Sequence, residues 1–500
     1  MKKIRYLFIS LVIMSLPFRL YHLNYPLLDA TNFRQTQTAT IALNFYKYGI
    51  NLFGSQLDIF GIGKEKYLTL EFPLYEAVVA SLYKIGFSEV WGRVVSIIAG
   101  FVGAYFLFKL TLLILDTWKV AYFSAFFFLF APLNMFYERT FMIEPTLIAC
   151  LLAGLYYFCL WNEKQNKIHL VFSIIFLTFG FIQKALYGPF WLLPILAYFI
   201  RKKTSRFHKF FKFILFAAIP LIILIVWQEY ANYINTQNGH EYFTSGNIKQ
   251  LIWNFGLLED RFSFSMWQPR LQQLVDGIFL KPGLIIFLLG LVSGLYLKNT
   301  RFFYAWIASQ ILYFLIVFRI QSHNYYQMIM IPAASVFMSI GLIKLSDWIS
   351  LGLRELKFNH INTKHTKTVF LTLFCAFFIL RSWMHTRWDF YLDWKWYNRL
   401  LLVGKSVHPN KYGILINPGY DWNSSYTYYP RLKALLVSVE DVSPASIGKL
   451  QQTGYSYLIL HDDTQYPGYL KGINREVSLD FLQKYKQVLN LEDFKVYLFK

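Results

Sequence analysis

Eight ionisable side chains of this sequence fall beside long apolar runs: Asp29, Arg34, Glu71, Glu138, Arg139, Glu144, Lys184 and His323. A charge held at the middle of a lipid-embedded helix costs about 2.5–3.5 kcal/mol on insertion scales, so such residues call for a reason. Asp29 opens a polar stretch that runs to Thr38, with Arg34 and Gln35 one to two turns further on. A single carboxylate that removes a proton, with cations facing a departing phosphate, is enough for a displacement whose leaving group is already a stable anion. That arrangement differs from the paired carboxylates of most glycoside hydrolases. Asp29 reads equally as the N-cap of the helix that follows it.

Three further segments carry polar groups. Arg139-Thr-Phe-Met-Ile-Glu-Pro145 sets Arg139 and Glu144 at one helix mouth, either as a structural ion pair or as part of a site. Gln183-Lys184-Ala-Leu-Tyr-Gly-Pro189 places one cation beside a helix break, where it either snorkels or meets a phosphate. His323-Asn-Tyr-Tyr326 brings a titratable ring and the phenols of Tyr325 and Tyr326 to another mouth; interfacial anchoring explains the tyrosines more readily than the histidine.

The elements that must position these groups follow from composition. Of the 500 residues 56% are apolar and 20% aromatic, against 15% charged. Soluble domains carry about 25% charged residues, so a set of ordinary soluble domains is excluded, as is disorder. The net charge of +21 lies in short basic clusters between apolar runs, which argues against a nucleic-acid partner. A helix that crosses a bilayer needs about 20 apolar residues, and that ruler gives about eleven candidates. They lie near 4–22, 92–114, 120–138, 142–161, 168–183, 189–200, 211–229, 283–298, 302–318, 326–346 and 368–386.

With the amino end inside, the basic stretches at 2–5, 164–167, 201–212, 298–301 and 354–367 all fall on the cytoplasmic face, as the positive-inside rule asks. The eight polar residues then share the outer face, and a polar cavity opening outward is the simplest expectation. No small-residue cleavage site follows the first apolar run, so a retained first helix is expected rather than a signal peptide.

Three outer segments are long: 21–91, 230–282 and the tail. Thr38–Tyr48 and Phe72–Phe87 are amphipathic and read as helices lying in the interface or packed on protein. The tail, 391–500, reads as a small α/β domain outside the membrane, following a transmembrane domain over 1–390. Strands are expected at 412–416, 433–437, 455–460 and 494–499, and helices at 443–453 and 478–489. Asn423-Ser-Ser425 fits a glycosylation pattern, or simply a turn. Cys150, Cys159 and Cys375 lie in apolar runs and read as buried free thiols.

Taken in order, Asp29–Thr38, Glu71-Phe-Pro-Leu-Tyr75, Arg139–Pro145, the Lys184 segment and His323-Asn-Tyr-Tyr326 resemble the bacterial dolichyl-phosphate-mannose-protein-mannosyltransferase-like family. This family lies within the type C glycosyltransferase superfamily and is similar to aminoarabinose transferases. The resemblance spans roughly residues 1–345, and the tail looks like the family's outer domain. It implies a multi-pass enzyme of the cytoplasmic (inner) membrane, active on the outer face. Such an enzyme moves a monosaccharide from a polyprenyl-phosphate donor, with inversion, to a lipid, protein or polysaccharide acceptor.

By position, Asp29 would be the catalytic base and Glu144 a supporting carboxylate, with Lys184 and Arg34 as phosphate contacts. Gln35, Glu71, Arg139, His323, Tyr325 and Tyr326 complete the candidate substrate-binding set. Relatives often have Asp-Glu where this sequence has Asp29-Ala30, and some carry a lysine where Glu71-Phe72-Pro73 stands. No cofactor is expected; the carboxylates could hold a divalent ion, but no ligand spacing argues for a metal site. The rival reading is a transporter or flippase of lipid-linked saccharides, which calls for polar midplane residues and internal repeats. Neither is found.

Overall fold

The computed structural model describes residues 2–200, 206–355, 363–408, 411–416, 423–437, 443–461 and 484–499. The basic stretch at 201–203, and much of that at 354–367, lies outside the described residues. The chain folds as two compact units built from interleaved segments. The expected division near residue 390 follows chain order, whereas the units cut across it.

The first unit takes Met1–Leu23, Arg93–Tyr230 and Ser245–Phe390. Helices through the chain are α1 (Lys2–Leu20), α2 (Asn32–Tyr48), α3 (Leu74–Leu82), α4 (Val90–Leu115), α5 (Trp118–Phe130), α6 (Pro132–Tyr137), α7 (Glu144–Lys164) and α8 (Lys167–Gln183). They continue with α9 (Leu192–Ile200), α10 (Arg206–Gln237), α11 (Ile248–Phe255), α12 (Phe264–Leu274), α13 (Leu280–Gly294), α14 (Arg301–Ile316), α15 (Ile331–Glu355) and α16 (Thr363–Thr386). Each of the expected apolar segments overlaps one of these helices. Among the described residues six helical stretches are long and apolar enough to cross a bilayer, and shorter apolar helices accompany them.

Local chemistry sets the breaks. Pro132 cannot donate to the preceding turn and separates α5 from α6, and Asn134 Nδ2 donates to the Phe128 carbonyl at 2.9 Å across the break. The closest packing joins α13 to α15. A Cβ at Gly290 would lie 1.8 Å from the Phe337 carbonyl oxygen, and one at Gly341 would lie 1.8 Å from that of Ile286. Only glycine lets two helix backbones approach so closely in an apolar medium.

The second unit takes Asn24–Gly92, Ala231–Thr244 and Tyr391–Lys500. Its helices after residue 390 are α17 (Trp394–Ser406), α18 (Ser425–Tyr428) and α19 (Pro444–Gln452). Strands β1 (Tyr412–Ile416), β2 (Lys433–Val437), β3 (Tyr455–His461), β4 (Lys486–Asn490) and β5 (Phe494–Leu498) form one sheet in the order β2-β1-β3-β5-β4. The first three run parallel, with Ile414 opposite Leu435 on one side and Leu458 on the other. Ile414, Ile416, Leu458 and Leu460 pack with Ile447 of α19 and Phe499 in its core.

Ser443 caps α19 through a capping box with Ser446. The helix expected at 478–489 is corrected: 478–483 lie outside the described residues, and 486–490 form the edge strand β4 against β5. Cross-strand pairing to Val496 and Lys495 overrides the local pattern there. Asn423 Oδ1 accepts from the Ser425 amide at 3.0 Å, which is the turn geometry.

The long first loop completes this unit. Its segment 58–61 pairs antiparallel with the open edge of β2: the Ala434 amide donates to the Asp58 carbonyl (2.8 Å) and the Gly61 amide to that of Ala434 (3.0 Å). Asn235 clamps the loop further on, accepting from the Thr69 amide (2.9 Å) and donating to its carbonyl (2.8 Å). The expected loop helices are present as α2 and α3. However, α2 buries polar residues, Arg34 to Thr38, Thr40 and Asn44, where an interfacial helix would bury an apolar stripe.

Candidate active site

In the second unit, Asp29 is buried and its carboxylate accepts from Gln35 Nε2 at 2.5 Å. Gln35 also donates to the Ala30 carbonyl at 3.0 Å. The N-cap reading of Asp29 is corrected. The residue before α2 is Thr31, held at φ 63, and its carbonyl receives the Arg34 and Gln35 amides at 3.1 and 3.2 Å. A β-branched residue in the left-handed region carries of order 1–3 kcal/mol of strain. The tight turn it makes brings Gln35 back over Asp29.

Arg34 is likewise buried, forms an ion pair with Glu71, and donates through Nη1 to Gln37 Oε1 at 3.1 Å. The guanidinium is thus oriented from two sides.

In the first unit, Lys184 Nζ lies 2.5 Å from Glu144 Oε1, both side chains buried. Glu144 opens α7 and Lys184 follows the end of α8. The ammonium also faces three phenol rings, Tyr326 at 4.0 Å, Tyr325 at 5.0 Å and Tyr187 at 5.2 Å from their centroids. Tyr187 Oη donates to the Tyr325 carbonyl at 3.3 Å, which fixes one wall of the cage. Tyr325 and Tyr326 are buried, so they hold a cation rather than anchor at an interface. His323 stacks on Tyr325, centroids 5.7 Å apart, and lies 5.8 Å from Trp253. Burial, and then the Lys184 charge, hold its imidazole below the usual histidine range. Neutral at ordinary pH, it can accept or donate one hydrogen bond without adding charge to the cage.

Arg139 is fully buried beside this set of helices. Its guanidinium donates to the His22 carbonyl at 3.1 Å and lies 4.8 Å from the Phe390 centroid.

The candidate residues therefore gather as Asp29 with Gln35 and Arg34 with Glu71 in one unit, and as Glu144, Lys184, His323, Tyr325 and Tyr326 in the other. The alternative in which Lys184 snorkels does not hold, because a snorkelling ammonium ends in water and this one is buried on a carboxylate. Two arginines escaped the sequence reading. Arg19 pairs with Glu138 and donates to the Leu129 carbonyl at 2.9 Å, and Arg93 donates to the His22 and Leu23 carbonyls at 3.1 and 2.8 Å. The available signal was a lone arginine at the end of each apolar run. Among the described residues no group of three or more His, Cys, Asp or Glu side chains gathers as a metal would need.

Residues 72–228 match the dolichyl-phosphate-mannose-protein mannosyltransferase family. The resemblance read from the motifs is borne out. The mannosyltransferase match contains the Pro73-Leu-Tyr75 element, Arg139–Pro145 and Lys184; Asp29 and His323 lie beyond it. No curated protein sequence matches the chain significantly.

Among solved structures, the chain is similar to ArnT from Cupriavidus metallidurans. In its complex with undecaprenyl phosphate the identity is 14% and the TM-score 0.67, over 98% of this chain and 97% of that one. The apo form of that protein gives 14% and 0.68 over the same shares. The archaeal oligosaccharyltransferase AglB from Archaeoglobus fulgidus, with an inhibitory peptide and a dolichol-phosphate, shares 10% identity. Its TM-score is 0.60, over 97% of this chain and 73% of that chain. The fold is helical and ArnT-like, with a small C-terminal sheet.

Proposed function

We propose that this protein is an inverting glycosyltransferase that moves a monosaccharide from a polyprenyl-phosphate donor to an acceptor. The observation that carries the reading is the buried Asp29 carboxylate steadied by the Gln35 amide, in a chain with the ArnT-like fold. Asp29 acts as the base. It removes the acceptor hydroxyl proton as that oxygen forms its bond to the anomeric carbon, while the bond from that carbon to the phosphate oxygen breaks and the electron pair leaves on the polyprenyl phosphate. Attack opposite to the leaving group inverts the centre.

Arg34 and Lys184 are the phosphate contacts. Glu144 holds Lys184 in place, and the Tyr325–Tyr326 wall keeps its ammonium from relaxing toward water. Glu71, Arg139 and His323 belong to the same substrate-binding set. The match of residues 72–228 to the mannosyltransferase family, and the lipid phosphates bound by ArnT and AglB, support a polyprenyl-phosphate donor.

The membrane arrangement belongs to the proposal as well. It has about eleven spans in the cytoplasmic membrane, with the six long helices and the shorter apolar ones both crossing, and with the tail and Asp29 outward. The test is the protein in its native membranes, which supply the acceptor, given a panel of radiolabelled polyprenyl-phosphate sugars and scored for release of polyprenyl phosphate with and without chelator. Release from one donor class in both conditions supports a metal-independent transferase. Release that stops with chelator adds a divalent ion to the site, and no release from any donor overturns the assignment.

A further inference from the structure

The second unit contains a cavity of about 350 Å³ that none of the proposed chemistry uses. Its walls come from the end of α2, from the hairpin that follows it, and from β2: Asn44, Tyr48, Asn51, Gln56, Lys66, Tyr67 and Lys433 are among the lining residues. The hairpin is closed by backbone bonds, the Leu57 amide to the Lys66 carbonyl at 2.9 Å and the Leu68 amide to that of Ser55 at 3.1 Å, so the pocket is framed by rigid elements. Asn44 is buried and anchors the floor, with its amide donating to the Gln56 carbonyl and to Asp58 Oδ1, both at 3.1 Å.

Three kinds of group meet here. Two phenol rings, Tyr48 and Tyr67, offer apolar faces with polar edges, and Tyr48 is 57% exposed. Amide side chains on Asn51 and Gln56 carry a donor and an acceptor each, which matches the paired, adjacent hydroxyls of a sugar ring. Two ammonium groups complete the set: Lys433 Nζ donates to Tyr48 Oη at 2.9 Å, and Lys66 Nζ lies 5.2 Å from the Tyr67 centroid. Asp58, half-buried and bonded to Asn44, lies within range of the charges of Lys433, Lys47 and Arg431; burial raises its carboxyl, and Asn44 and those cations temper the rise.

A pocket for a wholly apolar ligand would not carry this amide and lysine set, and a bare anion site would have no use for two ring faces. We infer that the cavity binds an anionic saccharide, a carboxylated or phosphorylated sugar chain, as the acceptor of the transfer. The inference deepens the proposed transferase reading and rests on it for the word acceptor. Along α2 the pocket end at Tyr48 is about 20 Å from Arg34, at about 1.5 Å per residue. No monosaccharide extends that far, so the acceptor is an extended glycan, held at one place along its length and modified at another.

The test uses the full chain in detergent, without donor, titrated calorimetrically with a galacturonic-acid oligosaccharide, its neutral galactose counterpart, a phosphorylated oligosaccharide and inorganic phosphate. The expected result is binding of the carboxylated or the phosphorylated chain, weakened about tenfold or more in the Lys66→Gln/Lys433→Gln double variant and in the neutral counterpart. Asn51→Ala, at an exposed position, provides a second variant whose folding is not at stake, and it should also weaken binding. Whichever charged chain binds identifies the anion. Inorganic phosphate binding as tightly as either chain would make this a simple anion site, and saccharide binding untouched by both variants would place the ligand elsewhere; either result overturns the inference, as does absence of binding by all four probes. Asp29→Asn should bind the saccharide like the wild type. If that variant also consumes donor normally, the transferase reading fails while the saccharide site stands, so the two failures are separable.

Discussion

The two carboxylates proposed for the chemistry are held in opposite ways. Glu144 is buried against a full positive charge, Lys184, inside a wall of phenol rings. Asp29 is buried against the amide of Gln35, delivered by a strained turn at Thr31. A carboxylate on an ammonium serves as a clamp for that cation, whereas one oriented by a side-chain amide is held in a fixed direction. The difference matches the proposed roles, Glu144 fixing a cation and Asp29 moving a proton.

The largest effect should come from breaking the clamp. Lys184→Met leaves Glu144 buried without its cation, and Glu144→Leu does the reverse; each should lower stability by about 3–5 kcal/mol in thermal or denaturant unfolding of the solubilised protein. The double variant should lose less than the sum, since neither charge is then stranded. It should nevertheless stay inactive, because Lys184 is still missing from the phosphate. A double variant that recovers turnover would make the pair purely structural.

A pH effect of a few kcal/mol is expected from the second unit. His461 is buried, with its Nδ1 3.1 Å from Tyr426 Oη, and burial, with Arg399 nearby, holds the imidazole down at about 3. The unfolded chain takes up this proton near pH 6.5, whereas the folded chain does so only near 3. Stability contributed there is intact above about pH 6.5 and falls as the pH drops toward 3. His461→Phe should flatten that slope in pH-dependent unfolding; an unchanged slope would assign it to other groups.

Gln35→Ala sharpens the comparison on the Asp29 side. Losing a single orienting hydrogen bond should reduce kcat about tenfold while leaving KM for the donor near its original value. An altered pH profile of kcat, with the base no longer steadied, would separate positioning from mere packing. The smallest effect is expected at Ser443→Ala, which removes the α19 cap and should cost about 1 kcal/mol with turnover unchanged.

Much of the first unit was legible because hydropathy is local: a run such as Val90–Leu115 declares its helix without reference to any partner. The strands around Ile414, Leu435 and Leu458 declared themselves in the same way. The loop segment 58–61 did not, because its strand character exists only through pairing with β2, some 375 residues away. Nor did β4, whose pattern is helical until β5 is placed beside it.

At the candidate site, residue types drew attention to Asp29, Glu144 and Lys184, and all three are buried. Which partner each would take was invisible. Arg139 was the nearer cation to Glu144 in sequence, yet the Glu144–Lys184 pair is made by the packing of α7 on α8. The buried arginines Arg19 and Arg93 were missed for the same reason, since their acceptors are mainly backbone carbonyls at helix ends, which carry no sequence signature.

The most direct measurement compares wild type and Asp29→Asn for release of polyprenyl phosphate from the active labelled donor, with unfolding recorded on the same samples. The account predicts that the variant unfolds like the wild type and loses turnover by about 10²–10⁴-fold. A variant that folds and still turns over donor at the wild-type rate would contradict it.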